Sequence, residues 1–99
     1  LLGVLHETGH ALYERGLAEA ALKQYPQAAQ TLSALIAENK SYAHAPNVLY
    51  ELAWARKNAG QNAESAAAFA QLATDHAGSP FAAEALYHVG EDQYQQKHL

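Results

Sequence analysis

His6-Glu7-Thr8-Gly9-His10 sets side chains of the right kind at a spacing that does chemistry. Residues four apart share a helix face, so His6 and His10 can reach one zinc ion together. Glu7 then serves as general base toward a metal-bound water, which is the arrangement of a zinc hydrolase. A catalytic zinc takes a third protein ligand, and Glu38 and Glu51 are the candidates at suitable distance along the chain. Other chemistries close quickly. The absence of cysteine excludes a thiol nucleophile, a zinc finger and a disulfide framework. No glycine-rich phosphate loop and no nucleophile-elbow serine occurs. His44, His76, His88 and His98 share no ligand spacing, and most of them read as surface residues at or near helix ends.

The elements that position these groups announce themselves by repetition. Ala11-Leu12-Tyr13 returns as Val48-Leu49-Tyr50 and as Ala85-Leu86-Tyr87, an offset of 37 each time (50 − 13, 87 − 50). Gln24, Ala29, Leu32 and Leu35 fall opposite Gln61, Ala66, Phe69 and Leu72 in the same register, and Gly16 and Gly90 bracket Ala53. Inside each unit the apolar period is helical: Leu49, Leu52, Ala53 and Arg56 stand at i, i+3, i+4 and i+7, as do Leu86, Val89, Gly90 and Gln93. Breakers at Tyr25-Pro26 and at Gly60-Gln61-Asn62 divide the units, and Ser79 is placed to cap a helix ahead of Pro80. The spacing predicts five helices, over 4–22, 26–38, 45–59, 62–75 and 80–96. It predicts one domain over 1–99, with repeats over 9–45 and 46–82 and a partial one over 83–99. Ala53, Ala66 and Gly90 are the expected close-approach positions, with Leu49, Leu52, Phe69 and Leu72 filling the space between.

Composition bounds what such a stack does. The 99 residues carry a net charge of −4 with only six Lys and Arg, against the basic face that nucleic acid requires. No apolar run approaches the ~20 residues of a membrane span, so no membrane insertion is expected. The chain contains no methionine, not even at position 1, which points to a segment of a longer protein. The opening eight residues, where repeat symmetry would place a linker, are apolar and helical in pattern.

The units resemble the tetratricopeptide repeat family. Leu49, Leu52, Ala53, Gly60, Ser65 and Phe69 stand at its large, large, small, glycine, small and aromatic positions. The first unit departs from that pattern with Arg15 and Glu19 where apolar side chains are usual, and the third matches the first helix only. The resemblance implies an all-α, right-handed α-solenoid of helix hairpins, two full repeats plus a closing helix. It also implies a non-catalytic scaffold that binds a protein or peptide partner on its concave face and needs no cofactor. The long linker with GSPFAAEALYHVGEDQY is similar to bacterial cell-envelope members, such as TolA-binding cell-division coordinators and outer-membrane assembly lipoproteins. A second, local likeness runs from His6 to Leu17, where HETGHALYERGL resembles the active-site helix of carboxypeptidase Taq-type zinc peptidases. It implies His6 and His10 as ligands and Glu7 as base.

Carried over position by position, the family's partner face comprises His10, Tyr13 and Leu17 in the first unit, Asn47, Tyr50, Trp54, Lys57 and Asn58 in the second, and Glu84, Tyr87, Glu91, Tyr94 and Gln95 in the third. Of these, Tyr13, Asn47, Tyr50, Trp54, Lys57, Tyr87, Glu91 and Tyr94 are the expected contacts. The residues support this separately, since Tyr50, Trp54 and Lys57 follow i, i+4, i+7 opposite the Leu49–Leu52–Ala53 stripe. Trp54, the single tryptophan, has the area and rigidity of an interface anchor. Some relatives grip a C-terminal carboxylate here, but Tyr50 and Trp54 occupy positions where that clamp needs polar donors. The rival reading makes Tyr13, Tyr50 and Tyr87 packing residues between neighbouring helices. The last helix, lacking a following partner, is expected to present an open face capable of self-association.

Overall fold

A computed structural model describes the backbone of residues 2–39 and 42–97 and the side chains of residues 9–39 and 42–97. Within them the chain forms five helices and no strand: α1 (Leu2–Ala21), α2 (Tyr25–Glu38), α3 (Ala45–Asn58), α4 (Asn62–Asp75) and α5 (Ala82–Lys97). The predicted spans hold to within two residues. Helix α1 does begin inside the apolar opening segment. Helix α5 starts at Ala82 instead of 80 because Ser79 closes a turn first. Its Oγ accepts the Phe81 N–H at 3.1 Å and its carbonyl accepts the Ala82 N–H at 3.1 Å.

Each helix packs on the next in sequence, and α1 also touches α3. Two layers result, α1/α3/α5 and α2/α4, in a body of 52 × 29 × 18 Å. The 37-residue register governs the connections atom for atom. Between α1 and α2, the Lys23 N–H reaches the Ala20 carbonyl (3.0 Å) and Gln24 reaches Glu19 (2.8 Å). Between α3 and α4, Gly60 reaches Lys57 (3.1 Å) and Gln61 reaches Arg56 (2.8 Å). Both are Schellman closures, which need one left-handed residue after the helix. Gly60 supplies it at φ 81°, as its type allows, but in the first unit Lys23 is held at φ 62°. The longer linkers repeat too. Tyr42 N–H to Asn39 and Ala45 N–H to Tyr42 match Ser79 to His76 and Ala82 to Ser79.

The core lies between the layers. Leu32, Leu35, Val48, Leu49, Phe69 and Leu72 are sealed from solvent, with Ala28, Ala53, Ala68 and Ala85 where helices come close. Two side-chain hydrogen bonds pin the hairpins: Thr31 Oγ1 donates to Glu19 Oε1 (2.6 Å), and the buried Ser65 Oγ donates to the Ala53 carbonyl (2.8 Å). The first explains the off-pattern pair of the first unit. Glu19 is largely buried, accepts from Thr31 and faces Arg15 at 3.5 Å, so polar partners replace an apolar contact there.

Among the described glycines the closest approach is at Gly16, ahead of the buried Gly9, whose added Cβ would lie 3.3 Å from Asn39 Nδ2 and from Tyr42 Cε1. A Cβ on Gly16 would lie 2.5 Å from Leu32 Cδ2 and 2.7 Å from Leu32 Cγ. Gly90 is corrected. It is exposed, and a Cβ there would meet nothing within 4 Å. Leu86, register partner of the buried Leu49, is likewise 62% exposed, because no described helix packs on that side of α5 as α4 packs on α3. Ala66 is half-buried.

Candidate functional site

The α1/α3/α5 layer presents one continuous set of aromatic and carboxylate side chains. Register dictates its construction: position 13/50/87 is tyrosine three times, and the first two tyrosines lean toward the residue that enters the next first-layer helix. Tyr13 stacks on His44 (ring centroids 6.3 Å, 14°) with Tyr42 edge-on at 6.2 Å. One repeat later Tyr50 stacks on Phe81 (4.5 Å, 24°), and its hydroxyl donates to Glu84 at 3.0 Å. Burial and then the Glu84 hydrogen bond push the Tyr50 phenol up from its ordinary range. Burial and then the charge of Glu51 do the same to Tyr13. Tyr87, at the third position, is 63% exposed, and its hydroxyl donates to Glu91 (3.3 Å).

Trp54 stands at the junction of three helices. Its ring meets the core residue Phe69 edge-on (5.9 Å), His88 of α5 (4.9 Å) and Tyr50 (6.4 Å), and Lys57 Nζ lies 5.2 Å from its centroid. It is half-buried, so the expectation of a flank left over from core packing is modified: one edge belongs to the core and the rest faces outward. Asn47 is half-buried on the same helix, Lys57 is exposed, and Tyr94 on α5 is 65% exposed. Tyr13 and Tyr50 therefore do pack between helices, as the rival reading has it, whereas Tyr87 and Tyr94 stand out from the surface.

His88 is an exception to the expectation that most of the remaining histidines lie on the surface near helix ends. It sits in mid-helix with its side chain 11% exposed, flat on Phe69 (4.4 Å, 24°). Its Nε2 faces Glu84 at 3.4 Å and its Nδ1 faces Glu91 at 3.3 Å. A neutral imidazole has one N–H and serves only one of them at a time. The signal for it was present: His88 follows a repeat tyrosine, as Glu51 and Glu14 do, so its register places it at the seam between first-layer helices. At the corresponding seam between α1 and α3 stands Glu51, half-buried, its carboxyl held above the usual range by burial.

The zinc motif gains no support from this arrangement. His10 is exposed and its Nε2 lies 2.9 Å from Glu14 Oε1, while the side chains of His6 and Glu7 lie outside the described residues. Among the described residues no three His, Cys, Asp or Glu side chains gather as a metal-binding set. The cleft against the face, walled by Lys57, Phe69, His88 and Glu91, measures about 60 Å³, room for a few waters and not for a small-molecule substrate. Roomier clefts of about 420 and 430 Å³ open elsewhere, over Ile36, Ala37 and Leu49 and over Ala29, Ala34 and Arg56. No described helix is long and apolar enough to cross a membrane.

A two-layer stack of α-hairpins in strict register, with aromatic side chains along one layer, defines an all-α helical-repeat solenoid. The chain matches the tetratricopeptide repeat family over residues 10–41 and 47–79, α1 to α2 and α3 to α4, and it belongs to that family. Repeats of this kind generally mediate protein–protein interaction. No curated protein and no solved structure matches the chain.

Proposed function

We propose that this chain is a non-catalytic scaffold that holds a protein or peptide partner on the α1/α3/α5 layer, the concave side of the stack. The observation that carries this reading is the outward display of Tyr87 and Tyr94, each more than 60% exposed, in line with the half-exposed Trp54. Large aromatic rings bury area with few rotors to freeze, so leaving three of them on one layer favours an interface. Tyr13, Asn47, Tyr50, Lys57 and Glu91 complete the face, the tyrosines as its half-buried floor.

The test uses a random library of displayed twelve-residue peptides panned against the 99-residue chain. Trp54 fluorescence serves as local reporter because it is the single tryptophan. Bound peptides are expected to shift that emission, and Tyr87→Ala with Tyr94→Ala is expected to weaken them about tenfold or more, the loss of an interface anchor, with little change in melting temperature. Peptides that leave Trp54 unperturbed and survive the double substitution would place binding elsewhere.

A further inference from the structure

The charges of the same face specify its partner. Glu51, half-buried on α3, stands where its charge acts on Tyr13 of α1 and on its own neighbour Tyr50. It makes no hydrogen bond or ion pair with the other described side chains, although it is half-buried. One repeat further, Glu84 and Glu91 bracket His88 beside Trp54. Against these carboxylates the face sets Lys57. Arg15 is engaged with Glu19, and Arg56 reaches the Glu64 carbonyl on α4. A partly desolvated carboxylate without a counter-charge is costly, and a cation delivered to it recovers that cost. Flanking phenol rings favour the same guest, since cations, above all a planar guanidinium, rest against aromatic faces. An acidic or phosphate-bearing partner meets like charge here.

Resting on the scaffold reading above, we propose that the α1/α3/α5 face takes an extended segment of a partner protein with two basic side chains. The first, arginine or lysine, seats on Glu51 between Tyr13 and Tyr50; the second reaches the Glu84–Glu91 pair beside Trp54. With a step of roughly 10 Å from one first-layer helix to the next and an extended chain advancing ~3.3 Å per residue, the two cations fall about three residues apart.

The peptides selected from the random library decide this. Enrichment of Arg or Lys pairs two to four residues apart is expected, with affinity falling several-fold from 50 to 300 mM salt and about tenfold in Glu51→Gln. Selection of acidic or uncharged apolar peptides that still shift Trp54 emission would overturn the basic partner and leave the scaffold standing. Binders that ignore Trp54, or a library that yields none, would overturn both. Should Glu51→Gln fail to fold by circular dichroism, the salt dependence of the unaltered chain decides alone, and salt-independent binding refutes the pairing.

Discussion

Gly16 and Gly90 occupy one register position 74 residues apart (90 − 16), and their replacement by alanine should act in opposite directions. Both lie inside helices, so Gly→Ala gains each about 0.5–1 kcal/mol from the reduced freedom of the unfolded chain. At Gly90 nothing offsets that gain, since an added Cβ meets no atom within 4 Å. At Gly16 the new carbon would lie 2.5 Å from Leu32 Cδ2, about 1 Å or more inside the ordinary carbon–carbon distance. Leu32 is completely buried, and the second clash, 2.7 Å at its Cγ, cannot be relieved by swinging a terminal methyl. Either the leucine leaves its rotamer or α1 and α2 move apart, an overpacking cost of about 1–3 kcal/mol. Because the helix contribution is common to both variants, the difference between them isolates that cost. Thermal melts followed at 222 nm should show Gly90→Ala raised by a few degrees and Gly16→Ala below it by ~4–8 °C per kcal/mol of overpacking. Equal shifts would refute the tight α1–α2 contact. A loss in Gly90→Ala would show that the exposed side of α5 is packed against something in solution.

Two further substitutions follow from local geometry. Lys23→Gly should stabilise the chain by about 1 kcal/mol, because Lys23 holds the left-handed conformation that Gly60 supplies without strain one repeat later; an unchanged urea midpoint would contradict this. Glu51→Gln should be more stable than the unaltered chain at pH 7, with the advantage vanishing below about pH 4. Burial raises the folded carboxyl above its unfolded value, so the folded state binds the extra proton between the two. Stability therefore falls as pH rises through that window, and the amide escapes the loss. Melts of both proteins from pH 3.5 to 7.5 check the sign.

The helices and their register were legible because they rest on periodicity, which local side-chain pattern expresses fully. Tyr13, Tyr50 and Tyr87 announced the offset, and the turns obey it down to single hydrogen bonds. What escaped depends on the neighbours a residue acquires. Gly90 and Leu86 carry the same pattern as Ala53 and Leu49, and pattern alone does not say whether a helix arrives to cover them. Lys23 reads as a surface lysine, since a positive φ on a residue other than glycine comes from the closure around it and not from its type. His88 was misplaced for a similar reason. Its burial follows from Phe69 and Trp54 converging from α4 and α3, a juxtaposition that ligand spacing along the chain does not test.

Glu51 is where stability and function pull apart. Several polar groups that enter the layers are answered within the chain: Thr31 by Glu19, Ser65 by the Ala53 carbonyl, Tyr50 by Glu84, His88 by Glu84 or Glu91, while the buried Tyr42 hydroxyl finds no hydrogen-bond partner among the described residues. Glu51 holds the seam position that His88 holds one repeat later, yet none of the other described side chains answers it with a hydrogen bond or ion pair. Folding alone would favour an apolar or amide side chain at such a seam, and a residue that breaks the local rule without compensation among the described residues marks a place for compensation from outside. The same substitution therefore reads both quantities. Glu51→Gln should gain stability in the free chain and lose affinity for a basic segment, whereas a merely structural carboxylate would lose in the first and leave the second untouched.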